Sequence, residues 1–363
     1  MTQRYFPKTS LRWLAGLIAV VMIIRLAAGN SWWVENAYSS GFYGGFAQCL
    51  RRIFGWLPFS IGDCIYLFAG LWIAFKITRM VLKIIRRQMS WRVIADGVFQ
   101  IGFILLILYI VFNVFWGLNY DRKGIISQMK LEPGTIDTAS LKIVNLLLLE
   151  KLNESKTMLM KSRSLYPSNQ ELFERALTCY RDGERQFPFL RYHTKSVKSS
   201  LFGWLGNYLG FTGYYNPFTG EAQINTTVPA FIRPYTTVHE MAHQLGYAKE
   251  EEANFVGYLV ATASNDTLFH YSTYLDLFIY ANRVVYLTDS MAAKSSAKLL
   301  LPEVKADIRE WRDFLKSHRN PLEPMITWVY GNYLRLNRQP KGMFSYNEVI
   351  VDLIAYYKKF GKI

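Results

Sequence analysis

Two histidines in the second half of the chain stand four residues apart and enclose an acidic residue. The segment reads His239-Glu240-Met241-Ala242-His243. In a helix, residues four apart project from one face, so both imidazole nitrogens can approach one metal ion at about 2 Å. Glu240 then stands beside the metal, where a carboxylate can take a proton from water. The pattern therefore predicts a zinc (Zn2+) site, with His239 and His243 as ligands and Glu240 as catalytic base.

A third ligand is expected from the acidic segment that follows. Gly246 predicts a left-handed cap at the end of the first helix, after which the chain can double back. Glu250, Glu251 and Glu252 then begin a second helix, where acidic side chains are also favourable because they oppose the helix dipole. Glu250 and Asn254 lie four apart on one face, so Glu250 could complete the site while the Asn254 amide steadies a histidine. Glu251 and Glu252 remain alternatives.

The His-Glu-x-x-His segment, followed by a Glu-x-x-Ala-Asn segment that begins at Glu250, resembles the gluzincin metallopeptidases. The resemblance implies a zincin-like domain in which His239, His243 and Glu250 bind zinc. Only six residues separate His243 from Glu250, fewer than in many gluzincins. His-Glu-x-x-His-x-x-Gly is also similar to the metzincins, but Lys249 occupies the position of their third histidine. The three-histidine ligand set of the metzincins is therefore incomplete here, unless Glu250, one position later, takes the place of the third histidine.

Three apolar segments precede the motif, at about residues 13–28, 64–85 and 97–116. A membrane-spanning helix needs about 20 such residues, so the first is short, and its basic start would also suit a signal peptide. Buried helices of a soluble protein are disfavoured, because three such segments lie within the first third of the chain. We therefore predict a membrane region, residues 1–120, with three transmembrane helices.

The distribution of charge predicts the topology. The chain has 42 Lys and Arg against 27 Asp and Glu, a formal charge of +15. Such an excess is typical of nucleic-acid binding, anionic membrane surfaces or cytoplasmic loops. Six basic residues and no acidic one lie between Lys76 and Arg92, which places this loop in the cytoplasm. Arg51 and Arg52, on the opposite side, argue mildly against this. We expect a multi-pass protein of the bacterial cytoplasmic (inner) membrane, with its N-terminus inside and no nucleic-acid partner.

The remaining residues, 121–363, predict a mostly helical extracytoplasmic domain with a small β element. Apolar residues recur at three- and four-residue steps from about residue 138 to 160, which indicates a helix. Ser168 with Glu171, and Ser345 with Glu348, form capping boxes that would begin two further helices. The fold class is therefore mainly α.

The stretch just before the motif carries the β element. Residues 203–220 are rich in glycine and aromatic residues and predict a loop, whereas residues 222–227 predict a short edge strand. The resemblance to zincins implies that this strand pairs with an extended peptide substrate. The alternative is that the strand belongs to a hairpin with a purely structural role. A hydrogen-bond donor beside the metal would stabilise the transition state. Four candidates are Tyr214, Tyr215, Tyr247 and His270.

The chain as a whole resembles a bacterial membrane family catalogued as domain-of-unknown-function family 3810. The resemblance extends from the three apolar segments through the aromatic stretch ending at Asn225 and the His-Glu-Met-Ala-His-Gln-Leu-Gly motif to the predicted helix after Ser345. It covers most of the length and implies the membrane topology and the metal site, but its name supplies no substrate.

These observations predict a membrane-anchored zinc-dependent hydrolase, with a metallopeptidase acting on a peptide or protein substrate as the favoured activity. A membrane sensor or scaffold with a structural or inactive zinc site is one alternative. A zinc amidase acting on cell-envelope substrates is another, because the same motif permits it. Intramembrane proteolysis is disfavoured, since polar residues such as Thr236, Gln244 and Lys249 surround the motif.

Overall fold

A computed structural model of the 363-residue protein describes residues 8–132, 137–162, 166–342 and 348–363. The α-helices in chain order are α1 Lys8–Ala28, α2 Ser31–Trp33, α3 Gly44–Phe54, α4 Ile61–Ile85, α5 Trp91–Phe115, α6 Gly124–Gln128, α7 Thr138–Ser162, α8 Asn169–Gln186, α9 Gly203–Leu209, α10 Arg233–Gln244, α11 Glu250–Ala263, α12 Thr267–Thr288, α13 Ser290–Lys298, α14 Pro302–Ser317, α15 Glu323–Leu336 and α16 Val349–Phe360. A π-helix spans Val34–Tyr43, and short 3-10 helices span Gly117–Asp121 and Pro188–Leu190. The strands are β1 Val197–Ser199, β2 Gly213–Asn216 and β3 Glu221–Ile224. The predicted mainly α fold with a small β element is confirmed.

Three helices are long and apolar enough to cross a membrane: Ser10–Ala28 within α1, and the whole of α4 and α5. The three predicted apolar segments lie almost entirely inside them. Serine side chains define where two of them begin, because Ser60 Oγ accepts from the amide of Asp63 and Ser90 Oγ accepts from the amide of Val93. α1 packs along α5.

The sheet has the strand order β1-β3-β2, with β3 parallel to β1 and antiparallel to β2. The strand predicted at residues 222–227 is present as β3, but its predicted edge position is wrong, because β3 is the central strand and is paired on both sides. The loop predicted for residues 203–220 is also wrong in part, since it contains α9 and β2. The glycines that suggested a loop instead allow close packing: a Cβ at Gly213 would lie 2.9 Å from Glu240 Cγ.

The helices after residue 137 enclose one hydrophobic core. The apolar stripe predicted on α7 is confirmed, because Leu141, Val144, Leu148 and Leu152 are fully buried, and the helix packs against α12. The predicted cap of α8 is also confirmed, since Ser168 Oγ accepts from the Glu171 amide at 3.3 Å. Ser345 of the second predicted capping box lies outside the described residues.

Residues next in sequence to the three apolar helices hold the C-terminal end of α10. Arg51 on α3 donates to the Gln244 carbonyl at 2.8 Å, a favourable place for a cation because the helix dipole is negative there. Gly246 follows with a left-handed φ of 85°, as predicted, and its missing Cβ leaves room for Asn119 and Tyr43. The end of the helix and the turn after it are thus packed against residues that lie far away in the sequence.

A buried ion pair ties the π-helix to the same turn. Arg122 donates two hydrogen bonds to the Glu35 carboxylate, at 2.7 and 3.0 Å, and a third to the Gly246 carbonyl at 3.1 Å. Such bidentate pairs are geometrically specific. Both side chains are buried, so the arrangement fixes the turn between α10 and α11, which carry the predicted metal ligands.

Candidate metal centre

The helix that carries the motif lies at the centre of the fold. α10 packs against β2 and β3 on one side and against α8, α11 and α12 on others. Its three motif residues are buried, with exposed fractions of 8% for His239, 5% for Glu240 and 5% for His243. Because the helix is confined on several sides, the direction in which each side chain points is fixed by packing.

The structure brings the two histidines together with Glu250 from the start of α11. Glu250 Oε2 lies 3.3 Å from His239 Nε2 and 3.6 Å from His243 Nε2, and the three ligand atoms all lie within 4.8 Å of one another. A tetrahedral zinc site with bonds of about 2.0–2.1 Å has ligand atoms about 3.3–3.4 Å apart. The two distances from Glu250 to the histidines are therefore close to those of ligands that share one zinc ion.

The same contacts fit direct hydrogen bonds less well. Charge-assisted N–H···O bonds are about 2.7–2.9 Å long, shorter than either contact. Among the described residues, Glu250 Oε2 has no hydrogen-bond partner although it is buried. A buried acceptor without a partner is costly, and a cation between the three side chains would satisfy it.

The electrostatics of the cluster also call for positive charge. Burial alone would raise the pKa of Glu250, but the two imidazoles outweigh it and hold the pKa well below its ordinary value. Burial lowers the pKa of His243, whereas the neighbouring Glu250 and Glu240 carboxylates raise it more, to about 9. The carboxylates thus stabilise positive charge at this point, which a metal ion would supply in place of a proton.

Surrounding groups orient two of the three donors, His243 and Glu250. His243 Nδ1 lies 2.7 Å from the Tyr247 carbonyl, so the protonated Nδ1 donates there and Nε2 faces Glu250. The Tyr330 hydroxyl donates to Glu250 Oε1 at 3.2 Å, which leaves Oε2 directed at the histidines. His239 Nδ1 is buried without a partner among the described residues, and His243 Nδ1 is paired with Tyr247, so the expected bond between the Asn254 amide and a histidine is not formed.

Glu240 has the environment of a proton acceptor. Its Oε2 is buried and has no partner within the described part of the chain. Burial raises its pKa to about 7, although the two histidines act in the opposite direction. β2 lies against this side chain at Gly213. A carboxylate with a pKa near neutrality can both accept and return a proton.

The two alternative ligands lie elsewhere. Glu252 Oε1 is 3.5 Å from Lys249 Nζ, and its carboxylate packs under Gly124. Burial and, to a smaller extent, the nearby Glu252 carboxylate raise the pKa of Glu251 to about 7. Of the three glutamates, Glu250 is the one that the structure places against both histidines.

The family described as protein of unknown function (DUF3810) matches residues 38–354. This chain belongs to the DUF3810 family. The match covers α4, α5 and every residue of the candidate metal centre. No curated protein and no solved structure matches the chain.

In this DUF3810 protein the four predicted transition-state donors have different surroundings. His270 Nε2 lies 2.8 Å from the Ser264 carbonyl, and the Tyr247 hydroxyl donates to Gln128 Oε1. Tyr214 packs against Tyr66 and Phe211. The Tyr215 ring packs on Trp116, which itself contacts His243.

Two residues near the candidate metal centre of this DUF3810 protein could not be identified from the sequence. Tyr330 reaches Glu250 across 80 positions. Asp276 on α12 lies close enough to interact with His239, and burial raises the pKa of Asp276 to about 6. Neither belongs to a short motif, so only the three-dimensional packing reveals them.

Proposed function

We propose that this protein is a membrane-anchored zinc-dependent hydrolase, with a peptidase as the favoured activity. The observation that carries the proposal is the meeting of Glu250 with His239 and His243 at distances that suit one tetrahedral ion. These three side chains would hold the metal. Among the described residues the cluster contains three such donors, which leaves a coordination position for water, whereas structural zinc sites are closed by four protein ligands.

When bound, zinc supplies a Lewis acid that lowers the pKa of water toward about 7 and polarises a carbonyl group. Glu240 would accept the proton of the attacking water on its unpartnered Oε2 and return it to the leaving nitrogen. Its pKa, raised by burial to about 7, suits both steps. Tyr330 would keep the Glu250 carboxylate in place during the reaction.

The position of β2 favours an extended peptide as substrate. β2 forms one side of the sheet among the described strands, and Gly213 lies directly against Glu240. A peptide that adds to such a strand gains main-chain hydrogen bonds without a particular sequence. The same arrangement would bring its scissile carbonyl beside the proton acceptor.

We further propose that residues 1–120 anchor the protein in the bacterial cytoplasmic membrane and that residues 121–363 form an extracytoplasmic, zincin-like hydrolase domain. The support is the basic segment from Lys76 to Arg92, which covers the last part of α4, the turn after it and the start of α5. This segment belongs on the cytoplasmic side by the positive-inside rule.

Metal analysis of the detergent-purified protein tests the proposal. We expect about one zinc per chain in the wild type and in Glu251→Gln, and little zinc in His239→Ala or Glu250→Gln. Glu251→Gln is the matched control, because it makes the same change one position along the same helix turn. Peptide hydrolysis should follow zinc content.

Two results would contradict the proposal. Low zinc in all four proteins would show that the protein has no metal site and would favour the scaffold alternative. Full zinc without hydrolysis of peptides, but with release of fragments from cell-envelope amides, would identify the amidase alternative.

A further inference from the structure

Two helices far apart in the sequence expose apolar side chains near the ends of the membrane-spanning helices. On α15, Met325, Trp328 and Val329 have exposed fractions of 56%, 67% and 54%. These positions are three and four residues apart, so they form one stripe on the helix. In and beside α9, Leu201 and Trp204 are exposed by 56% and 67%. We call these five residues the apolar face.

The α9 part of the face is fixed to the beginning of α4. The Leu201 amide donates to Asp63 Oδ2 at 2.6 Å, and Asp63 lies in the first turn of α4. The face therefore begins at the same level as the N-terminal end of an apolar helix that is long enough to cross a membrane.

The α15 part is fixed to the same end of the membrane region. The hydroxyls of Tyr333 and Tyr120 lie 3.3 Å apart, and Tyr120 comes five residues after the last residue of α5. Tyr333 also lies close enough to interact electrostatically with Tyr66, in the second turn of α4. Asn320, which precedes α15, donates to the Tyr208 carbonyl of α9 at 2.8 Å. The two parts of the apolar face are thus neighbours.

We propose that the apolar face lies in the interfacial layer of the same bilayer that α1, α4 and α5 cross, in the leaflet that holds the N-terminal end of α4 and the C-terminal end of α5. We infer that lipid covers the apolar face, because this face adjoins the apolar surface of the spanning helices. Exposed Trp side chains suit this layer, where one end of the ring is apolar and the other wet. Arg335, exposed at the end of α15, can reach the headgroups.

The arrangement has a consequence for the candidate metal centre. Tyr330 follows Val329 on α15, and its hydroxyl binds Glu250. The helix therefore contacts lipid with one side and the Glu250 carboxylate with the other. This inference requires the membrane-spanning helices but no bound metal, so it can fail or succeed independently of the proposed hydrolase activity.

Spin labels on single cysteines test the proposal in the full chain. Cys49, Cys64 and Cys179 are first replaced, and one label is placed by Met325→Cys or by Trp204→Cys. Met291→Cys is the matched control, because Met291 is also an exposed apolar helix residue, with 71% exposure, but lies on α13. The protein is reconstituted in bilayers of phosphatidylethanolamine and phosphatidylglycerol.

We expect labels at 325 and 204 to be relaxed more by oxygen, which concentrates in lipid, than by a water-soluble nickel chelate, with the order reversed at 291. Labels at 325 and 204 that behave like the label at 291 would overturn the proposal. Protection from both reagents would also overturn it, because a second copy or another protein would then cover the face.

Tryptophan fluorescence of the otherwise native chain gives a second measurement that needs no labelling. Lipids brominated near the headgroup should quench a larger fraction of the emission in the wild type than in the double variant Trp204→Phe and Trp328→Phe. An equal quenched fraction in the two proteins would contradict the membrane contact.

Discussion

Trp116 Nε1 donates to the carbonyl oxygen of His243 at 3.4 Å, and the two rings pack edge to face with centroids 5.9 Å apart. Trp116 is the residue that follows α5, the most apolar of the three candidate membrane spans. One helix that is able to cross the membrane therefore ends in direct contact with a candidate metal ligand. The candidate metal centre therefore lies beside the C-terminal end of α5.

Glu240→Gln separates metal binding from hydrolysis. The change removes the proton acceptor but keeps the shape of the side chain, and the three proposed ligands stay intact. We expect zinc content equal to that of the wild type and a loss of about 10²–10⁴-fold in kcat/KM. Zinc analysis and a peptide cleavage assay on one preparation measure both. Hydrolysis that survived the substitution would refute the role of Glu240.

Tyr330→Phe should weaken metal binding without abolishing it. The phenol donates to Glu250 Oε1, and losing a group that orients a ligand typically costs about 10–100-fold in metal affinity. Competition with a zinc chelator gives the dissociation constant. Tyr286→Phe, at an exposed position on α12, is the control and should bind zinc like the wild type. Equal affinities in the two variants would show that Tyr330 does not position Glu250.

The sequence was sufficient to predict much of the helical framework. It also predicted that Glu250 lies close to the two histidines, because both predictions depend on short-range patterns. Helical periodicity is visible in a short stretch of sequence. So is the turn at Gly246, whose left-handed backbone reverses the direction of the chain after α10. His239 and Glu250 are only 11 positions apart. Short-range signals are therefore enough to bring the donors to one place.

The sheet and the environment of the site could not be predicted in the same way. β1 has three residues and pairs in parallel with β3, some 25 positions later, so no alternation of polar and apolar residues is long enough to identify it. Tyr330 on α15 donates to Glu250, and Asp276 on α12 lies close enough to interact with His239; only tertiary packing creates these relationships. Strand order and long-range partners depend on the whole fold.

Glu35→Gln should strongly destabilise the protein. The substitution leaves the Arg122 guanidinium buried without its counterion, and breaking a buried pair in this way costs about 3–5 kcal/mol. Glu154→Gln breaks an exposed pair with Lys151 and should cost roughly 0.5 kcal/mol or less. Thermal unfolding in detergent compares the two.

Replacing both members of the buried pair provides the check on this explanation. The double variant Glu35→Gln and Arg122→Met removes the unpaired charge, so it should be more stable than Glu35→Gln alone. A double variant that is less stable than the single one would show that packing around Arg122, rather than its uncompensated charge, accounts for the loss.

The contribution of Glu35 to stability should depend on pH in one direction. Burial raises its pKa, but the hydrogen bonds and charge of Arg122 lower it more, so the pKa in the folded protein lies below the ordinary value. A carboxyl group of this kind stabilises the fold at pH values above its unfolded pKa of about 4.3 and loses that contribution as the pH falls through the folded value. The stability difference between wild type and Glu35→Gln should therefore stay constant from neutral pH down to about pH 5 and shrink below about pH 4. Unfolding curves across this range measure the stability difference, with Glu154→Gln as a control that shows little change.

A stability difference that grew as the pH fell would mean that the folded state raises the pKa of Glu35, and the ion pair would not be the stabilising contact.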